Sequence, residues 1–236
     1  VAAPILKAIQ EMGYESPMPV QEEVIPFLLG DDNDVIALAQ TGTGKTAAFG
    51  LPILQKIDVT TYHPQALVLC PTRELCLQIA DDLNDYSKYI DNLKVLPVYG
   101  GSSIESQIKT LKRGVHVVVA TPGRLLDLMN RKTVDLSLVK NVIMDEADEM
   151  LNMGFTDSIN AILAEVPENR NMLLFSATMP KEIANITKKY MKNPKEIVIG
   201  NKNEGNKNIR DIYYMVQARD KYLALKRIAD FYPNIY

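Results

Sequence analysis

Residues Ala39-Gln40-Thr41-Gly42-Thr43-Gly44-Lys45-Thr46 have the makings of a phosphate cradle. Gly42 and Gly44 let the backbone curl so that successive N–H groups point at phosphate oxygens, and a helix opening there adds its dipole. Lys45 is spaced to reach the β- and γ-phosphates, and the Thr46 hydroxyl to bind Mg²⁺. The strict pattern begins with glycine where this chain has Ala39, and a chance Gly-Lys-Thr turn is the alternative. Pro52, two turns into the following helix, predicts a kink.

Far downstream, Asp145-Glu146-Ala147-Asp148 follows the apolar run Val142-Ile143-Met144. Asp145 ends that strand, is expected to face the cradle of the neighbouring strand and is suited to hold Mg²⁺, through water. Glu146 is placed to orient or deprotonate an attacking water. An acidic helix start is the alternative. Ser176-Ala177-Thr178 ends the last apolar run; its hydroxyls are candidates to bridge to Asp148, or simply to cap a helix. Near the start, Gly13-Tyr14-Glu15-Ser16-Pro17-Met18-Pro19-Val20-Gln21 is rich in turn residues. The Gln21 amide offers a donor and an acceptor that suit the edge of adenine; an ordinary loop before a helix at Gln21–Leu29 is the plainer reading.

Pro71-Thr72-Arg73-Glu74-Leu75, Gly100-Gly101 and Thr121-Pro122-Gly123-Arg124 each follow a strand candidate, and two of the three open helices. Close-approach amides with Arg73 and Arg124 suit a nucleic-acid backbone without reading bases. Loop and cap chemistry would produce the same residues.

The elements that must position these residues alternate. Strand candidates are 35–39, 66–70, 94–99, 115–120, 142–145 and 172–176, mostly continuous apolar runs of the kind buried on both faces. Helix candidates lie between them at 73–89, 104–112, 122–131, 157–164 and 181–191, after an amphipathic helix at 1–10. The alternation predicts an α/β fold, a mostly parallel sheet with helices on both faces, whose ligands bind beyond the carboxyl ends of the strands. Residues 200–208 contain no apolar side chain and read as a linker. A strand candidate at 212–216 and a helix candidate at 220–231 follow. They are too little to bury a core, so the chain is expected to stop just inside a second domain, and the apolar stripe of 209–236 to dock on this domain or on a second copy as a dimer.

Bulk composition agrees with a cored protein: 236 residues, 47% apolar and 23% charged. No run approaches a membrane span and no signal peptide is visible, which predicts a cytoplasmic protein without a membrane partner. Cys70 and Cys76 read as buried thiols of a reducing compartment, and His63 and His116 lie in no chemical motif. Net charge is −3, which argues against nucleic-acid binding by bulk electrostatics but not by a few placed arginines.

In this order the motifs resemble the DEAD-box ATP-dependent RNA helicases, bacterial members and their cold-shock type in particular, over roughly residues 13–199. The resemblance implies a RecA-like P-loop NTPase domain at 1–199, a linker at 200–208 and the truncated start of a second RecA-like domain at 209–236. It makes Ala39 a normal opening for the cradle. It implies ATP with Mg²⁺ held by Tyr14, Gln21 and residues 40–46, with Thr46 and Asp145 on the metal and Lys45, Asp145 and Glu146 in catalysis. Asp148, Ser176 and Thr178 become the coupling group, and Pro71, Thr72, Arg73, Gly100, Gly101, Thr121, Pro122, Gly123 and Arg124 the RNA contacts. Met18 stands where the family has Thr or Ser, and the family's closing arginines belong to the second domain. The implied activity of the parent is ATP hydrolysis coupled to RNA duplex opening, with little or no turnover by this chain alone. A nucleotide-gated RNA clamp and a DNA helicase are the rival readings.

Overall fold

The computed structural model describes residues 1–30, 34–40, 42–199, 212 and 214–232. The strands are β1 (Val35–Leu38), β2 (Ala66–Leu69), β3 (Val95–Val98), β4 (Val117–Ala120), β5 (Asn141–Met144), β6 (Asn171–Ser176) and β7 (Lys195–Val198). They form one sheet in the order β3-β4-β2-β5-β6-β1-β7, and every pairing is parallel. Parallel neighbours need crossovers, and helices supply them. α1 (Ala3–Glu11) and α2 (Pro19–Leu29) precede β1, and the crossover helices are α3 (Lys45–Gln55), α4 (Arg73–Tyr86), α5 (Ile104–Lys112), α6 (Pro122–Asn130), α7 (Ala147–Asn152), α8 (Thr156–Glu165) and α9 (Lys181–Tyr190).

Alternate residues of β1, β2, β4, β5 and β6 feed two cores. Val35, Ala37, Val68, Val119, Ile143 and Phe175 pack beneath α1 to α4. Ile36, Leu38, Leu69, Val118, Met144 and Leu174 pack beneath α5 to α9. Burial on both faces is why the strands read as continuous apolar runs. Cys70 and Cys76 are free and buried, with Sγ of Cys76 3.1 Å from the Val119 carbonyl.

Asp34 fixes the central register. It is buried, and its two carboxylate oxygens accept the N–H groups of Met172, at 2.7 Å, and Lys192. One side chain thus clamps the start of β1 to the start of β6 and to the turn into β7.

Several sequence expectations shift. The sixth strand candidate is not the last: β7 follows it at the sheet edge, with only Ile197 of its four residues buried, too weak an apolar signal to read. The helix expected to reach Tyr89 stops at Tyr86, where the Ser87 hydroxyl donates to the Leu83 carbonyl and ends it. α3 continues through Pro52 to Gln55.

The chain divides into two compact units, Val1–Lys202 and Asn203–Tyr236. The expected linker at 200–208 lies outside the described residues. In the second unit a 3₁₀ turn, Ala218–Asp220, leads into α10 (Lys221–Phe231), which leaves Tyr222, Leu225 and Phe231 exposed. Of the strand expected at 212–216, Ile212 and Tyr214–Val216 are described and have no regular structure. A strand exists by bonding to a partner edge, and none of these residues has one.

Candidate functional site

The sheet order sorts the motifs into two groups along one edge. The carboxyl ends of the adjacent strands β5, β6 and β1 carry Asp145–Asp148, Ser176–Thr178 and the 39–46 cradle. The ends of β3, β4 and β2 carry Gly100-Gly101, Thr121–Arg124 and Pro71–Leu75. The seam is β2 beside β5, where the Asp145 N–H donates to the Leu69 carbonyl at 2.9 Å.

One expectation is corrected here. β5 does not neighbour the cradle strand β1, because β6 lies between them. The lysine spans the gap: Lys45 Nζ comes within 3.6 Å of Asp145 Oδ1, with both side chains buried. Removal from water pushes the Asp145 carboxyl above its ordinary pKa, and Lys45 opposes that shift. Thr46 follows Lys45 on the first turn of α3 and is half-buried. Gly44 has a φ of +80° and caps α3 in the left-handed region. The Thr43 hydroxyl donates to the Gln40 carbonyl at 2.8 Å, closing the turn. Thr41 lies outside the described residues.

Glu146 also sits in the left-handed region, at φ +50° and ψ +50°, as the residue before α7. For a glutamate this is a strained backbone of the kind that functional sites store. Burial first, then the adjacent Asp145, raises its pKa, which moves it toward the range of a general base. Asp148 is met by both hydroxyl residues. Its Oδ2 accepts from the Thr178 N–H at 3.0 Å and hydroxyl at 2.8 Å, and its own N–H donates to the Ser176 hydroxyl at 3.3 Å.

Gln21 is buried and faces the cradle rather than open solvent. Its Oε1 accepts from Met18 N–H at 3.0 Å, and its Nε2 donates to the Gly44 carbonyl at 3.1 Å. A side-chain amide has two donors and two acceptor lone pairs, so one of each is left for an adenine edge. Gln21 and Tyr14 line a mostly apolar cavity of about 510 Å³ with Pro17, Ile25 and Leu51.

The second group is knitted together by side chains. The Thr72 hydroxyl caps α4 by accepting from Leu75 N–H at 3.2 Å. The exposed Arg73 guanidinium lies 5.0 Å from the centre of the Tyr99 ring, against Gly101, whose φ is +82°. Arg124 Nη1 donates to the Ser102 carbonyl at 3.1 Å and to Gln107 Oε1 at 3.0 Å. Gln107 returns its amide to the Tyr99 carbonyl and the Ser102 hydroxyl. Thr121 precedes α6, Pro122 is its first residue, and Gly123 is exposed on its first turn. Pro71 is buried. Sequence reasoning missed Gln107 and Tyr99. Gln107 is one polar position of an amphipathic helix, and nothing local marks it. Tyr99 immediately precedes Gly100, and an aromatic ending a strand before two glycines was a readable signal.

Among the described residues no cluster of three or more His, Cys, Asp or Glu could hold a metal. The donor set still fits Mg²⁺ in a phosphate site: a buried carboxylate burdened by desolvation, with a hydroxyl on the neighbouring helix start, leaves the other ligand positions to phosphate and water.

The family model described as "DEAD/DEAH box helicase" matches residues 18–186. The chain is 49% identical over 229 residues to the ATP-dependent RNA helicase DeaD of Mycobacterium tuberculosis, covering 97% of this chain and 40% of that protein. The protein of the same name from Escherichia coli K12 is 46% identical over 228 residues, covering 97% of this chain and 36% of its own length. A crystal structure of a DEAD box protein from the hyperthermophile Methanococcus jannaschii superposes with a TM-score of 0.81 at 43% identity, over 97% of this chain and 61% of that one. The chain thus spans about two fifths of the length of these helicases.

Proposed function

The chain belongs to the DEAD/DEAH box helicase family, and from that premise we propose that it is the ATP-binding RecA-like part, 1–199, of an ATP-dependent RNA helicase. The carrying observation is the adjacency of β5, β6 and β1, which brings acid pair, hydroxyl pair and cradle to one edge. Tyr14 and Gln21 receive adenine, and the amides of residues 40–46 with Lys45 receive the phosphates. Thr46 and Asp145 hold Mg²⁺, which when bound neutralises the β- and γ-phosphate oxygens. Glu146 takes the proton of the water that attacks the γ-phosphorus. The second group, from Pro71 to Arg124, holds a single strand of RNA by its backbone, with weak sequence preference.

Asp148, Ser176 and Thr178 carry the state of the nucleotide onward: a shift of the Glu146 turn moves Asp148, and Asp148 pulls on the loop after β6 through its two bonds from Thr178. The reaction is completed by arginines of a second RecA-like domain, whose start is 209–236, joined by the linker 200–208. Such arginines are worth roughly 10³–10⁵ in rate in related NTPases, so residues 1–199 without that domain are expected to bind nucleotide with little turnover. The exposed stripe of α10 is a candidate dimer contact. No described helix is long and apolar enough to cross a membrane, in keeping with a cytoplasmic site of action.

Titration of the purified chain with a fluorescent ADP and Mg²⁺, with Lys45→Ala as control, tests the reading. Binding abolished in the control supports it; no binding by the parent chain refutes the nucleotide site. Brisk RNA-stimulated ATP turnover by residues 1–199 without a second domain would refute the half-site.

A further inference from the structure

The hydroxyls of Tyr14 and Tyr86 lie 3.0 Å apart, and their rings meet edge to face with centroids 6.2 Å apart. Tyr14 belongs to the turn that follows Gly13 and precedes α2, outside regular structure, and is partly exposed at the cavity beside Gln21. A turn of this kind leaves an aromatic ring free to swing unless something holds its far end. Tyr86 is the holder. It is the last residue of α4 and is buried. Burial and the neighbouring Tyr14 push its phenol pKa well above the ordinary value, so its proton stays in place for hydrogen bonding at any working pH.

Tyr86 is itself set by the cradle's own helix. α3 and α4 close on each other at Gly50, where an added Cβ would lie 2.7 Å from Leu83 Cδ2 and 3.5 Å from Tyr86 Cδ2. α3 begins at Lys45. Lys45, Gly50, Tyr86 and Tyr14 thus form one packed path from the phosphate end to the wall of the cavity.

We propose that Tyr86 is a positioning residue for the base subsite: its hydroxyl holds Tyr14 as a fixed wall of the Gln21 cavity and ties that wall to the helix that begins at Lys45. The inference rests on the nucleotide reading given above and adds to it a residue that touches neither base nor phosphate. Seating the base needs Tyr14 held; seating phosphates alone does not.

Two probes separate these, ADP with Mg²⁺ and inorganic tripolyphosphate with Mg²⁺, each measured by calorimetry on the intact chain. Tyr86→Phe keeps the ring and removes one hydrogen bond. We expect it to weaken ADP about 2- to 10-fold, leave tripolyphosphate unchanged and leave the melting temperature nearly so. Tyr14→Phe should do the same, and the double variant should be no weaker than either single, because one bond is lost in all three. Unchanged ADP affinity in both single variants would overturn the proposal. So would an equal loss for both probes, which marks a general effect on the fold. Parent protein that bound tripolyphosphate but not ADP would overturn the base-subsite reading itself, a result distinct from either.

Discussion

Lys45 Nζ rests 3.6 Å from Asp145 Oδ1, so the lysine proposed to meet phosphates pairs with the carboxylate proposed to hold the metal. Both side chains are buried. In the proposed function the pair is a placeholder: each group neutralises the other until phosphate and cation bring the opposite charges. Breaking a buried pair from one side strands a charge and costs about 3–5 kcal/mol, whereas removing both partners together is far milder. Lys45→Met and Asp145→Asn are therefore each expected to lower unfolding free energy. The double variant should recover at least ~1 kcal/mol relative to the sum, while nucleotide binding stays lost in all three. Urea unfolding of the four proteins measures the coupling; additive losses would show that the pair does not interact.

Glu146 holds a φ of +50°, which glycine adopts without cost. Glu146→Gly is expected to match or exceed the parent in thermal stability, by up to about 1 kcal/mol, and Glu146→Val to fall below it by about 1–3 kcal/mol. Hydrolysis in a protein extended through the second domain should fail in both. A glycine variant clearly less stable than the parent would show that the backbone strain is not borne there.

Arg124 reaches the Gly100-Gly101 turn through the Ser102 carbonyl and Gln107. Gln107→Leu keeps volume and removes that link. It removes all three hydrogen bonds that Gln107 makes, to Tyr99, Ser102 and Arg124, and should weaken single-stranded RNA binding about 3- to 10-fold, although Gln107 is buried. Fluorescence anisotropy with a labelled oligonucleotide checks this. Wild-type affinity in Gln107→Leu would mean the turn is held by other contacts.

His116 is a buried histidine whose Nδ1 accepts the Lys94 N–H at 3.0 Å, leaving Nε2 to donate to the Val59 carbonyl at 3.2 Å. A proton on Nδ1 would face a donor, and burial lowers the pKa, with the Val59 hydrogen bond opposing the shift, Lys94 adding to it and Asp58 opposing it. The folded pKa lies below the unfolded one, near 6.5. The contribution to stability is therefore complete above about pH 6.5 and is lost as pH falls toward the folded pKa. The raised carboxyl pKa values of Asp145 and Glu146 act in the opposite sense on acidification. Subtracting a His116→Gln variant isolates the histidine: between about pH 7 and 5 the parent should lose more melting temperature than the variant. Parallel curves would count against it.

The amino-acid sequence determined the chemistry of this chain: the cradle at 39–46, the acids at 145–148 and the hydroxyls at 176–178 are local patterns whose atoms lie within a few residues of each other. It also determined the α/β class, since runs buried on both faces alternating with helical stripes have one economical packing. Tertiary structure alone decided which strands are neighbours. A parallel crossover can return to any free edge, so nothing within β1 or β5 states that β6 lies between them and that Lys45 must span the gap. The same holds for Gln107 beneath Arg124, Tyr86 behind Tyr14 and Asp34 clamping β6 to β7. Each is an ordinary residue in its own segment and acquires a role only through partners distant along the chain, which short-range spacing cannot encode.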